Sequence, residues 1–289
     1  MRDRLLVLIL LLATATATMA IDLTPLWDFN RPDVSEQRFL AALKTATADD
    51  VLVLQTQIAR THGLRKDFAK ARAILESVEA RVQQAGAEAR ARHALELGRT
   101  YASAAHPPEA KTPEAEAEAR AAYQRALAIA RAEHLDDLAI DAIHMLAFVD
   151  TAPADQLKWA QQALAVVEAS SLPAAKKWEA SIRNNVGYAL HQLGRFDEAL
   201  AQFQQAVVLR EAGTNAQATR VAHWMVAWTL RALGRTDEAL EKQLWLERAG
   251  DAAKQPDPHV YEELELLYRA KGMNDRAAHY AELRSRTGQ

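Results

Sequence analysis

The chain has 289 residues, 49% of them hydrophobic, with 10 Gly, 9 Pro, no Cys and a formal net charge of −3. The lack of cysteine excludes disulfides, thiolate metal sites, thiol nucleophiles and lipid-modified cysteine. The well-mixed, nearly balanced charge gives no basis for a nucleic-acid or polybasic membrane surface, and the alanine- and leucine-rich composition is that of an all-α protein.

Residues 1–20 have the order of a signal peptide. Arg2 and Arg4 form a basic start, Leu5–Leu12 a short apolar core, and Thr18 and Ala20 suit cleavage before Ile21. A periplasmic or secreted protein is expected, with no membrane insertion after cleavage. The alternative is an uncleaved N-terminal anchor, although the apolar run is short for a membrane span. Residues 21–46 read as an extended segment and a capping helix. Trp27 and Phe29 lie between Pro25 and Pro32 and are expected to dock on the first repeat; Asp33 and Glu36 have capping-box spacing, with a helix to about Lys44.

Residues 47–289 read as helical hairpins. In the first, about 47–84, Ala59 and Ala71 are twelve apart, and Lys66 stands where a turn glycine is expected. The second begins near Arg90 with Leu97, Gly98 and Tyr101, and resumes with Ala119, Tyr123 and Ala126. Gly98 to Ala119 is 21 residues instead of 12. The extra residues, within 104–115, include helix-breaking prolines and read as a surface loop in preference to a lip on a groove. The third hairpin, about 137–168, is degenerate: Ile143, Leu146, Leu157 and Ala163 keep a stripe, and Pro153 suits a helix start.

The fourth hairpin, 180–211, is the clearest. Val186, Ala189, Leu190 and Leu193 form one apolar stripe. Gly194 sits where a left-handed residue ends a helix, and Asp197 and Glu198 open the next one at its positive end. Leu200, Phe203, Ala206 and Val207 form the second stripe, while Gly187, Ala199 and Ala206 let the two backbones approach. The fifth, about 219–249, carries Ala227 and Gly234. The sixth, about 257–286, carries Leu264, Tyr268, Gly272 and Ala277, and departs from the pattern at Glu265 and Arg284.

Gly187, Gly194, Phe196, Ala199, Phe203 and Ala206 resemble the tetratricopeptide repeat, a helix–turn–helix unit of about 34 residues. Gly187 to Ala227 is 40 residues and Ala227 to Glu265 is 38, so the resemblance is to the long-helix form. It implies an all-α helix-turn-helix repeat solenoid, a right-handed superhelix of about six hairpins, in which each hairpin needs stacked neighbours to bury its faces.

The resemblance also implies that the first helices line a concave groove. The positions expected there are Ser181, Asn184, Tyr188 and His191, then Val221, Trp224, Trp228 and Arg231, then His259, Glu262, Leu266 and Arg269. Of these, Asn184, Tyr188, His191, Trp224, Trp228 and Arg231 are the candidate ligand-binding residues. The rings offer rigid apolar contacts, Asn184 suits a peptide backbone and Arg231 a carboxylate. Trp224 and Trp228, four apart, also read as core between hairpins. The lysines of the carboxylate-clamping subgroup are missing beside Asn184 and Asn185.

Catalytic chemistry finds no support. The nine histidines form no HExxH, and Asp141 with His144 makes only two ligands. No GxSxG, Walker, SxxK or GxGxxG motif occurs, so no catalytic residue, metal or cofactor is expected. The reading is a non-catalytic exported scaffold or adaptor with a protein or peptide partner. The alternatives are a subunit that oligomerises through its end faces, and an enzyme whose site is assembled only on folding.

Overall fold

The computed structural model describes residues 21–287, so the expected signal peptide and its cleavage site lie outside the described residues except for Ile21. Among the described residues there are fourteen α-helices and no strands: α1 (Pro32–Ala42), α2 (Ala48–Leu64), α3 (Phe68–Val82), α4 (Ala87–Tyr101), α5 (Pro113–Ala132), α6 (Asp136–Val149), α7 (Pro153–Ala169), α8 (Pro173–Lys176), α9 (Glu179–Gln192), α10 (Phe196–Glu211), α11 (Ala216–Ala232), α12 (Thr236–Ala252), α13 (Pro258–Ala270) and α14 (Asn274–Thr287). Six hairpins pair α2–α3, α4–α5, α6–α7, α9–α10, α11–α12 and α13–α14. Each second helix packs against its own first helix and against the first helix of the following hairpin, which makes a solenoid.

The turns repeat one device. Gly194, Gly234 and Gly272 have φ of 74°, 73° and 72°. The next residue then donates its N–H five residues back, as in Arg195 to Leu190 at 2.9 Å, Arg235 to Leu230 at 2.9 Å and Met273 to Tyr268 at 2.9 Å. In the first hairpin Lys66 adopts the same left-handed geometry at φ 65°, with Asp67 N–H on His62 O at 2.9 Å. The motif therefore survives the loss of its glycine, with a non-glycine residue carrying the left-handed strain.

Close approach of paired helices explains the small positions. A Cβ on Gly187 would lie 2.7 Å from the Phe203 ring, and one on Gly98 would lie 2.5 Å from the Tyr123 ring. Ala199, Phe203 and Tyr123 are fully buried there. Leu193 departs from the expected stripe: it ends α9 and is 40% exposed. The degenerate third hairpin, α6–α7, forms within a residue or two of the expected bounds.

Three local expectations change. Arg31 precedes α1 and Pro32 opens it with no side-chain cap, so Asp33 and Glu36 form no capping box. Glu36 instead reaches across to α2, pairing with Arg65 and lying 3.2 Å from His62 Nε2. The short helix α8 between the third and fourth hairpins was not anticipated. The insert after α4 is more than a surface loop: His106 stacks on Phe68 at 3.7 Å and Tyr123 donates its hydroxyl to Ala102 O, which fixes the loop's first half. The N-terminal segment docks as expected. Trp27 stacks on Phe29 at 4.5 Å, meets Phe39 edge-on at 5.0 Å and donates Nε1–H to Gln57 at 3.1 Å.

Candidate functional site

One position builds a strip along the solenoid. The residue after the close-approach position is Arg60 on α2, Arg99 on α4, His144 on α6, Tyr188 on α9, Trp228 on α11 and Leu266 on α13. All lie on first helices at the same point of the helical period, so stacking the hairpins lines them up. The strip is ionic at its N-terminal end, aromatic on α9 and α11, and ends at Leu266 on α13.

The aromatic part gathers four of the six expected residues. Trp228 stacks on His191 at 3.4 Å, on Trp224 at 5.7 Å and on Tyr188 at 6.0 Å. Tyr188 is 41% exposed, whereas Trp224, Trp228 and His191 are half-buried. Trp224 and Trp228 both pack against the hairpin core while staying only partly buried. Trp224 Nε1 and His191 Nε2 are buried without a hydrogen-bond partner among the described residues. Burial, helped by the nearby Arg231 charge, depresses the His191 pKa to about 4, so the ring is neutral at pH 7.

Arg231 is not a wet, free cation. It donates to both carboxylate oxygens of Glu263 at 2.7 and 2.8 Å, and Glu263 is buried. Its guanidinium is committed across α11 and α13, so its first role is to tie two hairpins. Asn184 lies one turn before Tyr188 on α9. It lines a cavity of about 450 Å³ with Ser181, Arg210, Asn215 and Val221, where side-chain amides and a hydroxyl converge.

The ionic part carries a network that sequence reasoning missed. Arg99 bonds both Glu96 and Asp141, and Arg60 lies 3.6 Å from Glu96. Burial alone would raise the Asp141 carboxyl, but the Arg99 and Arg60 charges outweigh it and hold it below its ordinary value. Burial also lowers the pKa of His144, whose Nδ1 lies 3.1 Å from Asn185 Nδ2; with the amide donating, His144 is neutral and carries its proton on Nε2. Applying the position after the close-approach residue to every hairpin, and not only to the last three, would have found Arg60, Arg99 and His144.

Two further cavities flank His144. One, about 250 Å³, has Arg60, Glu96, Arg99 and Asp141 on its ionic side, with Phe148 and Trp178 among its apolar walls. The other, about 180 Å³, is walled by Phe148, Trp159, Ile182 and Tyr188. The first half of the insert, Ser103–Ala105, forms part of the rim of the larger one. His144 also borders the amide-lined cavity, so it is common to all three. Among the described residues, no group of three His, Asp or Glu side chains is placed to hold a metal ion, and no helix is long and apolar enough to cross a membrane.

A tetratricopeptide repeat family model matches residues 178–249, the α9–α12 region that holds the ring stack. No curated protein matches the chain in sequence. Among solved structures, the apo form of RapI is 11% identical, with 89% of this chain and 73% of that chain covered at a TM-score of 0.70. BtubC from P. vanneervenii is 15% identical, with 82% and 95% covered at 0.59. A Rap protein complexed with Competence and Sporulation Factor is 16% identical, with 87% and 68% covered at 0.54. With six stacked hairpins, the left-handed turns and the small close-approach residues, these likenesses show that the chain has the fold of a tetratricopeptide-repeat solenoid, with the family's own sequence pattern matched over residues 178–249.

Proposed function

We propose that the chain is a non-catalytic scaffold or adaptor that binds a polypeptide segment along its first-helix face. The observation that carries this is the partly exposed stack of Tyr188, Trp228 and Trp224, with an amide-lined cavity at Asn184, one turn before Tyr188 on the same helix. Stacked rings are rigid, so they lose little entropy when a side chain lands on them, and amides can pair an extended backbone. Among proteins of this fold, a Rap protein is found complexed with Competence and Sporulation Factor, which supports binding as a use of the fold and says nothing of this chain's partner. The order of residues 1–20 supports action after export.

The test is a randomised dodecapeptide array probed with wild-type protein and with Tyr188→Ala. Tyr188 is well exposed, so its removal leaves folding nearly intact. Selective capture by the wild type, at least tenfold weaker in a variant with the same melting temperature, is the expected result. Equal capture by the two proteins, or none by either, removes the reading.

A further inference from the structure

The ionic end of the strip contains one cation whose hydrogen-bonding capacity is unused. Arg99 is engaged by both Glu96 and Asp141. Arg60 makes no hydrogen bond among the described residues. It has one ion pair at 3.6 Å, to a Glu96 oxygen that Arg99 already holds, and its guanidinium sits 5.5 Å and 5.4 Å from the Trp27 and Phe29 rings. A guanidinium presents five N–H donors in a fixed fork that matches a carboxylate. Burial first, and then the neighbouring Arg99 charge, pull the Arg60 pKa below its ordinary value, against the opposing effect of Glu96 and Asp141. Arg60 also borders the cavity of about 250 Å³, whose walls include Leu64, Met145, Phe148 and Trp178.

We propose that this cavity is a binding site for a carboxylate joined to a compact apolar group, with Arg60 receiving the carboxylate and the Met145, Phe148 and Trp178 walls receiving the apolar part. Arg60 and Arg99 together balance Glu96 and Asp141, so the ionic wall carries no net charge before a ligand enters. The inference rests on the polypeptide-binding reading for its natural source, an acidic side chain or a chain terminus of the bound segment. It also gives that segment a direction, acidic over α2 and α4 and apolar over α9 and α11.

The probe is 3-phenylpropionate, with 3-phenylpropanamide as the uncharged counterpart, titrated into the intact protein while the ¹³C-methyl signal of the wall residue Met145 is followed. Saturable binding of the acid, at least tenfold tighter than the amide, is expected. Arg60→Gln should erase that preference and Arg60→Lys should weaken it, since an ammonium lacks the fork. Ala104→Trp, at the exposed rim and outside the ion pairs, should block both probes in a protein that melts normally.

Equal affinity for acid and amide, an unchanged preference in folded Arg60→Gln, or no binding of the acid would overturn the site. N-acetylphenylalanine and a capped glutamyl-phenylalanine amide distinguish terminus from side chain, and failure of both overturns the peptide source. Loss of array capture with acid binding retained would remove the function proposed above while leaving the Arg60 site standing.

Discussion

Replacing Arg231 by alanine separates a binding role from a structural one. Glu263 is 5% exposed at its side chain and is held through both oxygens, while the Arg231 side chain is 32% exposed. At an effective dielectric of about 20, unit charges about 4 Å apart attract by about 4 kcal/mol. Stripping one partner from a buried pair costs about 3–5 kcal/mol, because the other charge stays buried. Partial exposure of the guanidinium places this pair lower, at about 2–4 kcal/mol. Arg231→Ala should therefore lower stability by that amount, and Arg231→Ala with Glu263→Gln should recover most of it by removing the stranded charge. Urea unfolding followed by tryptophan fluorescence, with hydrogen exchange in α11 and α13, reads the effect where the pair sits. A single variant within about 0.5 kcal/mol of wild type, inside the range of ordinary surface substitutions, or a double variant no better than the single, would refute the argument.

Three other outcomes follow from the same geometry. Ala199→Leu should overpack the α9–α10 contact and cost about 1–3 kcal/mol in urea unfolding; an unchanged midpoint would show that Ala199 is no close-approach site. His191 should titrate in ¹³C-edited NMR near its depressed value of about 4, whereas a midpoint near 6.5 would show a wetter ring. Because its folded pKa lies below the unfolded one, His191 contributes stability that is fully present above about 6.5 and is lost as pH falls toward 4. N-terminal sequencing of exported protein should begin at Ile21, and recovery of the uncut chain in the membrane fraction would instead favour the anchor.

The fold was legible because its determinants are local. Gly194, Gly234 and Gly272 mark turns through the φ they need, and Gly187 with Phe203 encodes a close crossing within one hairpin. Where the local signal weakened, as at Lys66, the surrounding pattern still located the turn. The candidate site was legible in kind and less so in detail. Tyr188, Trp224, Trp228 and His191 do come together, but the Arg231–Glu263 tie spans 32 residues and Arg99–Asp141 spans 42. Such pairs depend on how one hairpin sits on the next, which a helical period does not encode. The same reason misplaced Glu36: its spacing from Asp33 suggested a cap, while its real partners, His62 and Arg65, arrive from α2.

The change along the strip from ionic to aromatic also divides the molecule mechanically. Short directional bonds join α4 to α6 through Arg99–Asp141, and α11 to α13 through Arg231–Glu263. Hydrogen bonds weaken steeply as geometry is lost, so these junctions behave as rigid braces. Between α9 and α11, the strip instead makes contact through rings, with Tyr188 and Trp228 centred 6.0 Å apart and nearly parallel. Offset rings slide with little loss. A change of curvature would therefore meet less resistance from this strip between the fourth and fifth hairpins than at the two braced junctions.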